Sequence, residues 1–222
     1  MLAAIRLHLP EERYLLTAAL PANEGVLQNI DLCRTADYLD VINLVAYDFA
    51  GPWSHKCGHQ AQLYAHGKDE TSGALGVQYL LSQNFPCNKI LLGIPLFGRS
   101  FLNSSGPGHK FKGTAGEDGS FEYNELPRKG AKEQVDKRVV AAQCVGGDGG
   151  FVSYDNPDTV KTKASFCKQK GLGVRRPLAP LPSLIPDSDT DTQGLFYWCA
   201  PSDSKDSKRS LVAAGFRALH SS

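Results

Sequence analysis

Four short stretches of the chain are almost continuously apolar. Residues 13–20 (RYLLTAAL) stop at Pro21, and residues 41–47 (VINLVAY) open into DFAGPW. Residues 89–95 (KILLGIP) end on proline, and residues 194–198 (GLFYW) end on tryptophan. Runs without polar alternation fit strands covered on both faces, which favour parallel sheets. Helical spacing lies between and after them. Ser72 is placed to cap a helix carrying Val77, Leu80 and Leu81. Asn156-Pro157-Asp158 supplies a cap, a first-turn proline and an acid that the helix dipole favours. The helix that follows turns Val160, Ala164 and Cys167 to one face and stops at Gly171. A last helix predicts Val212, Phe216 and Leu219 on one side. Buried strands alternating with helices argue an α/β fold with right-handed crossovers.

Two segments break this rhythm. Residues 101–152 are rich in glycine, charge and isolated aromatics such as Phe111, Phe121 and Tyr123. A stretch of that length exceeds a simple loop, so a small inserted α+β unit is expected there. Three parts follow: residues 1–100 with three strands and their helices, the insertion at 101–152, and residues 153–222 with the last strand and helices. The second anomaly is VRRPLAPLPSLIPDSDTDTQ (174–193), where four of twenty residues are proline and neither period is present. It separates KGLG (170–173) from GLFYW, which would otherwise join as an ordinary helix–loop–strand. Valine codons begin GT and one glutamine codon is CAG, so the segment reads as a translated intron; the alternative is a disordered surface loop.

Composition narrows the partners. With 24 basic and 23 acidic residues the formal charge is +1, which builds no field toward nucleic acid or an anionic membrane. A neutral polymer suits it better. No apolar run approaches the roughly 20 residues needed to span a bilayer. The start, MLAAIRLHLPEER, has too few apolar residues for a secretory signal and reads as the end of an amphipathic helix, which leaves localisation open. Six cysteines (33, 57, 87, 144, 167 and 199) permit bridges without arguing for them. His55, Cys57 and His59 do not match zinc spacing, so no metal is expected. In DSDTD (187–191) the positions of the glycine and bidentate glutamate of a calcium loop hold Thr192 and Trp198. Gly147-Asp148-Gly149-Gly150 reads as a tight turn before a strand.

Four motifs carry a resemblance. LVAYDFAGPW (44–53) is similar to the strand-six signature of family 18 glycoside hydrolases, the chitinases, and GIPLFGRSF (93–101) to their strand-seven signature Gly-x-Pro-x-Tyr-Gly-Arg. VSYDNP (152–157) resembles the segment that closes their inserted domain, and GLFYW (194–198) their strand-eight segment. YLLTAALPA (14–22) and GHQAQLY (58–64) agree, so the likeness spans the chain apart from 174–193. It implies a partial (β/α)8 barrel, strands five to eight, with the insertion between strands seven and eight. Functional groups of such barrels sit at the C-terminal strand ends.

The resemblance also implies chemistry. These enzymes cleave β-1,4-linked N-acetylglucosamine by a retaining, substrate-assisted route: the sugar's own acetamido oxygen attacks the anomeric carbon, so no carboxylate nucleophile is required. Tyr47 would bond the acetamide, Asp48 would help hold it, Arg99 would bond the sugar chain, and Trp198 would floor the cleaved subsite. Trp53, in the strand-six motif, is the fifth substrate-binding candidate. An indole face suits the C–H face of a pyranose, while phenol and carboxylate suit an amide. Chitin or chitooligosaccharide is the implied partner, with no cofactor, and the parent family is often extracellular.

The departures weigh as much. The family's proton donor is the Glu ending Asp-x-x-Asp-x-Asp-x-Glu, and the 222 residues contain no such motif. Without it a leaving oxygen forfeits on the order of 10²- to 10⁴-fold in rate. Phe97 stands where the family usually has tyrosine. The expectation is therefore a truncated chitinase, inactive alone, that risks self-association through exposed barrel edges. Its rival is a non-catalytic chitooligosaccharide-binding protein.

Overall fold

A computed structural model of the chain describes residues 1–67, 70–174 and 192–221. In chain order the elements are α1 (Leu2–His8), β1 (Thr17–Pro21), α2 (Glu24–Leu27), α3 (Leu32–Ala36), β2 (Val41–Val45), α4 (Gly73–Ser82), β3 (Ile90–Pro95) and β4 (Phe97–Phe101). They continue with β5 (Ser120–Glu122), β6 (Lys132–Asp136), β7 (Ala141–Val145), β8 (Phe151–Tyr154), α5 (Pro157–Lys170), β9 (Gly173–Val174), β10 (Thr192–Gln193), β11 (Leu195–Trp198) and α6 (Leu211–His220).

The four apolar runs make one parallel sheet in the order β1-β2-β3-β11. Leu20 lies beside Leu44, Leu44 beside Leu92, and Trp198 beside Pro95. All six residues of β3 are buried, as its continuous apolar run requires. At the edge, β1 departs from expectation. It begins at Thr17, and its residues alternate between exposed and half-buried. The preceding apolar residues are diverted because the Asp40 carboxylate takes the Leu16 N–H at 2.8 Å. Arg6 of α1 bonds the same carboxylate at 2.7 Å and so ties the N-terminal helix to the sheet.

The helices form where the caps predict. In α4 the Ser72 hydroxyl accepts the Leu75 N–H at 3.3 Å, and Val77 and Leu80 are wholly buried. A Cβ on Gly76 would stand 2.6 Å from that of Ala22, so a glycine is what lets this helix lie against the end of β1. In α5 the Asn156 side chain accepts from the N–H groups of Asp158 and Thr159, and Thr159 Oγ1 accepts in return from the Asn156 N–H. Gly171 ends the helix in the left-handed region. Beneath α5, the buried pair Lys163–Asp155 is joined at 2.5 Å, and Lys163 also reaches the Ala61 carbonyl.

In α6 the buried face is Leu211, Ala214, Gly215 and Leu219, whereas Val212 and Phe216 are exposed. The expected face is thus corrected, and Tyr197 explains the rotation. Its hydroxyl occupies the space that a Gly215 Cβ would need, so only the side of the helix carrying small residues can meet β11. Phe216 turns outward and stacks on His220 at 4.2 Å.

From Phe97 to Tyr154 a second sheet runs antiparallel in the order β5-β4-β8-β7-β6. Apart from a 3-10 turn at Tyr123–Glu125 the described elements here are strands, so the expected α+β composition is corrected to β. The chain passes from one sheet to the other through Leu96 alone, between β3 and β4. Most of segment 174–193, read as an intron or a loop, lies outside the described residues. Its ends are described: β9 and β10 pair antiparallel, with Gly173 opposite Gln193. All six cysteines are free thiols. Among the described residues no helix is long and apolar enough to cross a membrane.

Candidate functional site

The C-terminal end of β2 runs on through Ala46 to Tyr47 and Asp48. Tyr47 needs space at the sheet, and β3 supplies it with a glycine: a Cβ on Gly93 would come within 2.7 Å of the Tyr47 ring and 2.8 Å of Phe196. Three rings gather there. Phe97 meets Tyr47 edge-on at 5.8 Å, and Phe196 lies 6.4 Å from it. Burial, with the Asp48 charge beside it, pushes the Tyr47 phenol up to about 12. The hydroxyl therefore keeps its proton at any ordinary pH and has it to donate.

Asp48 has a positive φ of 61°, uncommon for a residue with a side chain. Its carboxylate faces Arg99 of β4, which donates from Nε to one oxygen at 2.8 Å and from Nη2 to the other at 3.1 Å. This two-pronged pair joins the parallel sheet to the antiparallel one. The guanidinium also lies 5.1 Å from the Trp53 ring and 5.0 Å from Phe97, and Nη1 donates to the Asp118 carbonyl at 3.1 Å. One cation is thus held by a carboxylate and two aromatic faces.

Trp53 and Trp198 are the only tryptophans, and both are largely open to solvent, at 59% and 61%. Trp198 ends β11 beside Pro95, and its carbonyl accepts the Leu96 N–H at 2.7 Å. Four candidates named from sequence are therefore gathered by contact or adjacency: Tyr47, Asp48, Trp53 and Arg99. Trp198 stands on the same rim of strand ends, one strand beyond β3.

Sequence reasoning left Phe97, Phe196 and Gln60, whose side chain bonds the Asp48 N–H and the Phe97 carbonyl, without a part in this geometry. Gln60 lies in the quoted GHQAQLY motif and Phe97 in GIPLFGRSF, so the signal was present but gave no contact. His55, Cys57 and His59 diverge. His55 is exposed, Cys57 Sγ bonds the Gly106 carbonyl at 2.6 Å, and His59 Nδ1 pairs with the Ser153 hydroxyl at 3.3 Å. Among the described residues no group of three or more such side chains is arranged to hold a metal ion.

With the α/β fold and the geometry at the strand ends described, comparison with known proteins gives the family. The profile of glycosyl hydrolases family 18 matches residues 1–174, and the chain belongs to that family. Among curated relatives, Chitinase 1 of Aphanocladium album is 35% identical over 170 residues, covering 72% of this chain and 40% of its own length. Chitotriosidase-1 of Mus musculus is 32% identical over 180 residues, covering 73% and 38%. The chain therefore spans about 40% of the length of these relatives. Among solved structures, the class V chitinase of Nicotiana tobaccum superposes with a TM-score of 0.76 at 27% identity, over 99% of this chain and 61% of that one. The Cycas revoluta chitinase in complex with (GlcNAc)3 gives 0.70 at 29% identity, over 98% and 58%.

Proposed function

We propose that the chain forms the strand-five-to-eight part of a chitinase barrel, with the antiparallel sheet as its insertion, and that its strand ends hold chitooligosaccharide. The observation that carries this is the Tyr47–Asp48–Arg99 group, with Trp53 against its guanidinium and the exposed Trp198 at the end of β11. Tyr47 donates to the acetamido oxygen, and Asp48 fixes the acetamide N–H. Their combined effect orients that oxygen toward the anomeric carbon, which it attacks as the glycosidic bond breaks. Arg99 bonds the sugar chain, Trp198 floors the cleaved subsite, and Trp53 offers a second stacking face. The Cycas revoluta complex with (GlcNAc)3 supports this ligand class.

Bond cleavage also needs a proton for the departing oxygen, and the family's acidic motif is not within these 222 residues. With that acid supplied from elsewhere, the reaction is retaining hydrolysis of β-1,4-N-acetylglucosamine linkages. Without it, the site binds and does not cut; the missing motif is what favours a chitin-binding role as the second reading. Titration of the purified chain with chitotetraose in a calorimeter tests the site. Binding heat that is abolished in Trp198→Ala supports it, and absence of heat at millimolar sugar sinks it. Reducing-end release by the chain alone separates the two readings: none is expected, and turnover at an ordinary chitinase rate would refute the inactive reading.

Among the described residues β1 and β11 each have one neighbour in the parallel sheet. Unpaired edges template association, so the isolated chain is expected to self-associate. Sedimentation velocity across a concentration series checks this, and a strict monomer at high concentration contradicts it.

A further inference from the structure

Between the two sheets one buried amide fastens the end of β2 to the start of β4. Gln60 is 0% exposed. Its Oε1 accepts the Asp48 N–H at 3.4 Å, and its Nε2 donates to the Phe97 carbonyl at 2.8 Å. Its backbone is fixed as well: the N–H donates to the Ser153 hydroxyl at 3.1 Å, and the carbonyl accepts the Phe49 N–H at 3.0 Å. The two main-chain groups that the side chain bridges belong to residues that shape the site directly. Asp48 holds a left-handed backbone that only its surroundings keep in place. Phe97 presents its ring to both Tyr47 and Arg99.

We propose that Gln60 is the positioning residue of this site. It sets the spacing between Tyr47-Asp48 on one sheet and Phe97–Arg99 on the other, and so keeps the Asp48 carboxylate square to the guanidinium and the Tyr47 phenol in place. The proposal rests on the chitooligosaccharide reading for its ligand, though not for its geometry. The bridge needs one atom that accepts and one that donates, each on a side chain of this length. A methionine fills the same volume and does neither. A glutamate cannot donate to the Phe97 carbonyl while ionised, and does both once protonated. Burial raises a carboxyl above its ordinary value, so a glutamate introduced at this position regains its neutral form on mild acidification.

The test uses Gln60→Met and Gln60→Glu in the full chain, with chitotetraose affinity measured at about pH 7.5 and pH 5 and expressed relative to wild type at each pH. Both variants are expected to bind on the order of tenfold more weakly at the higher pH, the loss from one broken polar bridge. At the lower pH Gln60→Glu recovers toward wild type and Gln60→Met does not. A loss caused by the buried charge alone would spare the neutral Gln60→Met, so wild-type affinity in Gln60→Met, or equal behaviour of the two variants at both pH values, overturns the proposal. Should wild type itself fail to bind the sugar, the ligand reading falls, and the positioning role is then decided without sugar. In a Trp198→Phe background Trp53 is the single indole, and its quenching by acrylamide reports the Arg99 stack. Gln60→Met moving that quenching toward the value of Arg99→Met supports the proposal, and quenching unchanged from the parent overturns it. If Gln60→Met does not fold, the pH recovery of Gln60→Glu carries the decision.

Discussion

Acidifying the protein puts a proton on a ring that the fold keeps neutral. His59 is 3% exposed. Its Nδ1 pairs with the Ser153 hydroxyl at 3.3 Å, the same hydroxyl that accepts the Gln60 N–H. Its Nε2 has no hydrogen-bond partner among the described residues. Burial pulls the imidazole from the ordinary 6.5 down to about 4; Asp136 and Glu70 oppose the drop, while His66 and Lys163 add to it. The sign follows directly. A group whose folded value is depressed contributes its stability above the unfolded value and loses it as pH falls toward the folded one. The gap from 6.5 to about 4 corresponds to roughly 3 kcal/mol, lost between near-neutral pH and pH 4 and below. Urea unfolding of wild type and His59→Asn at about pH 7.5 and pH 4 measures it. The asparagine amide can still pair with the Ser153 hydroxyl and does not titrate, so the variant should lose less stability over that interval by on the order of 2–3 kcal/mol. Equal losses in the two proteins would refute the assignment, because other groups would then account for the acid sensitivity.

Three further outcomes are expected. Lys163→Met strands the fully buried Asp155 carboxylate and should destabilise by about 3–5 kcal/mol in denaturant titration, much of it restored by adding Asp155→Asn. Arg99→Lys keeps the charge but cannot reach both Asp48 oxygens while stacked between two rings, so chitotetraose affinity should fall on the order of tenfold in calorimetry. Deleting residues 174–193 joins Gly173 to Gly194, whose chain neighbour Gln193 already pairs with Gly173; the melting temperature should hold or rise, and a collapse would show that the segment stabilises the fold.

How much of this was legible in the sequence depends on where the determining contacts lie. Strands β2, β3 and β11 were readable because their apolar runs are local and continuous, and α5 because its cap, proline and terminal glycine are read from the helix's own ends. The start of β1 was not, since it depends on an Asp40 contact 24 residues away. Nor was the face of α6, which is chosen by the bulk of Tyr197 against Gly215. Motif order placed Tyr47, Asp48, Trp53 and Arg99 near one another, but the Asp48–Arg99 pair spans 51 positions. The partners of Gln60 lie 12, 37 and 93 positions away, distances at which no periodicity speaks.

The small clasp of β9 and β10 has a practical meaning of its own. Two chain ends that leave the body side by side form a natural port. A foreign module whose termini are close together, such as a reporter domain or an affinity tag in loop form, spliced in place of the intervening residues would ride on the protein without prying its last strand from the sheet. The site's strand ends would then carry a cargo chosen by the experimenter.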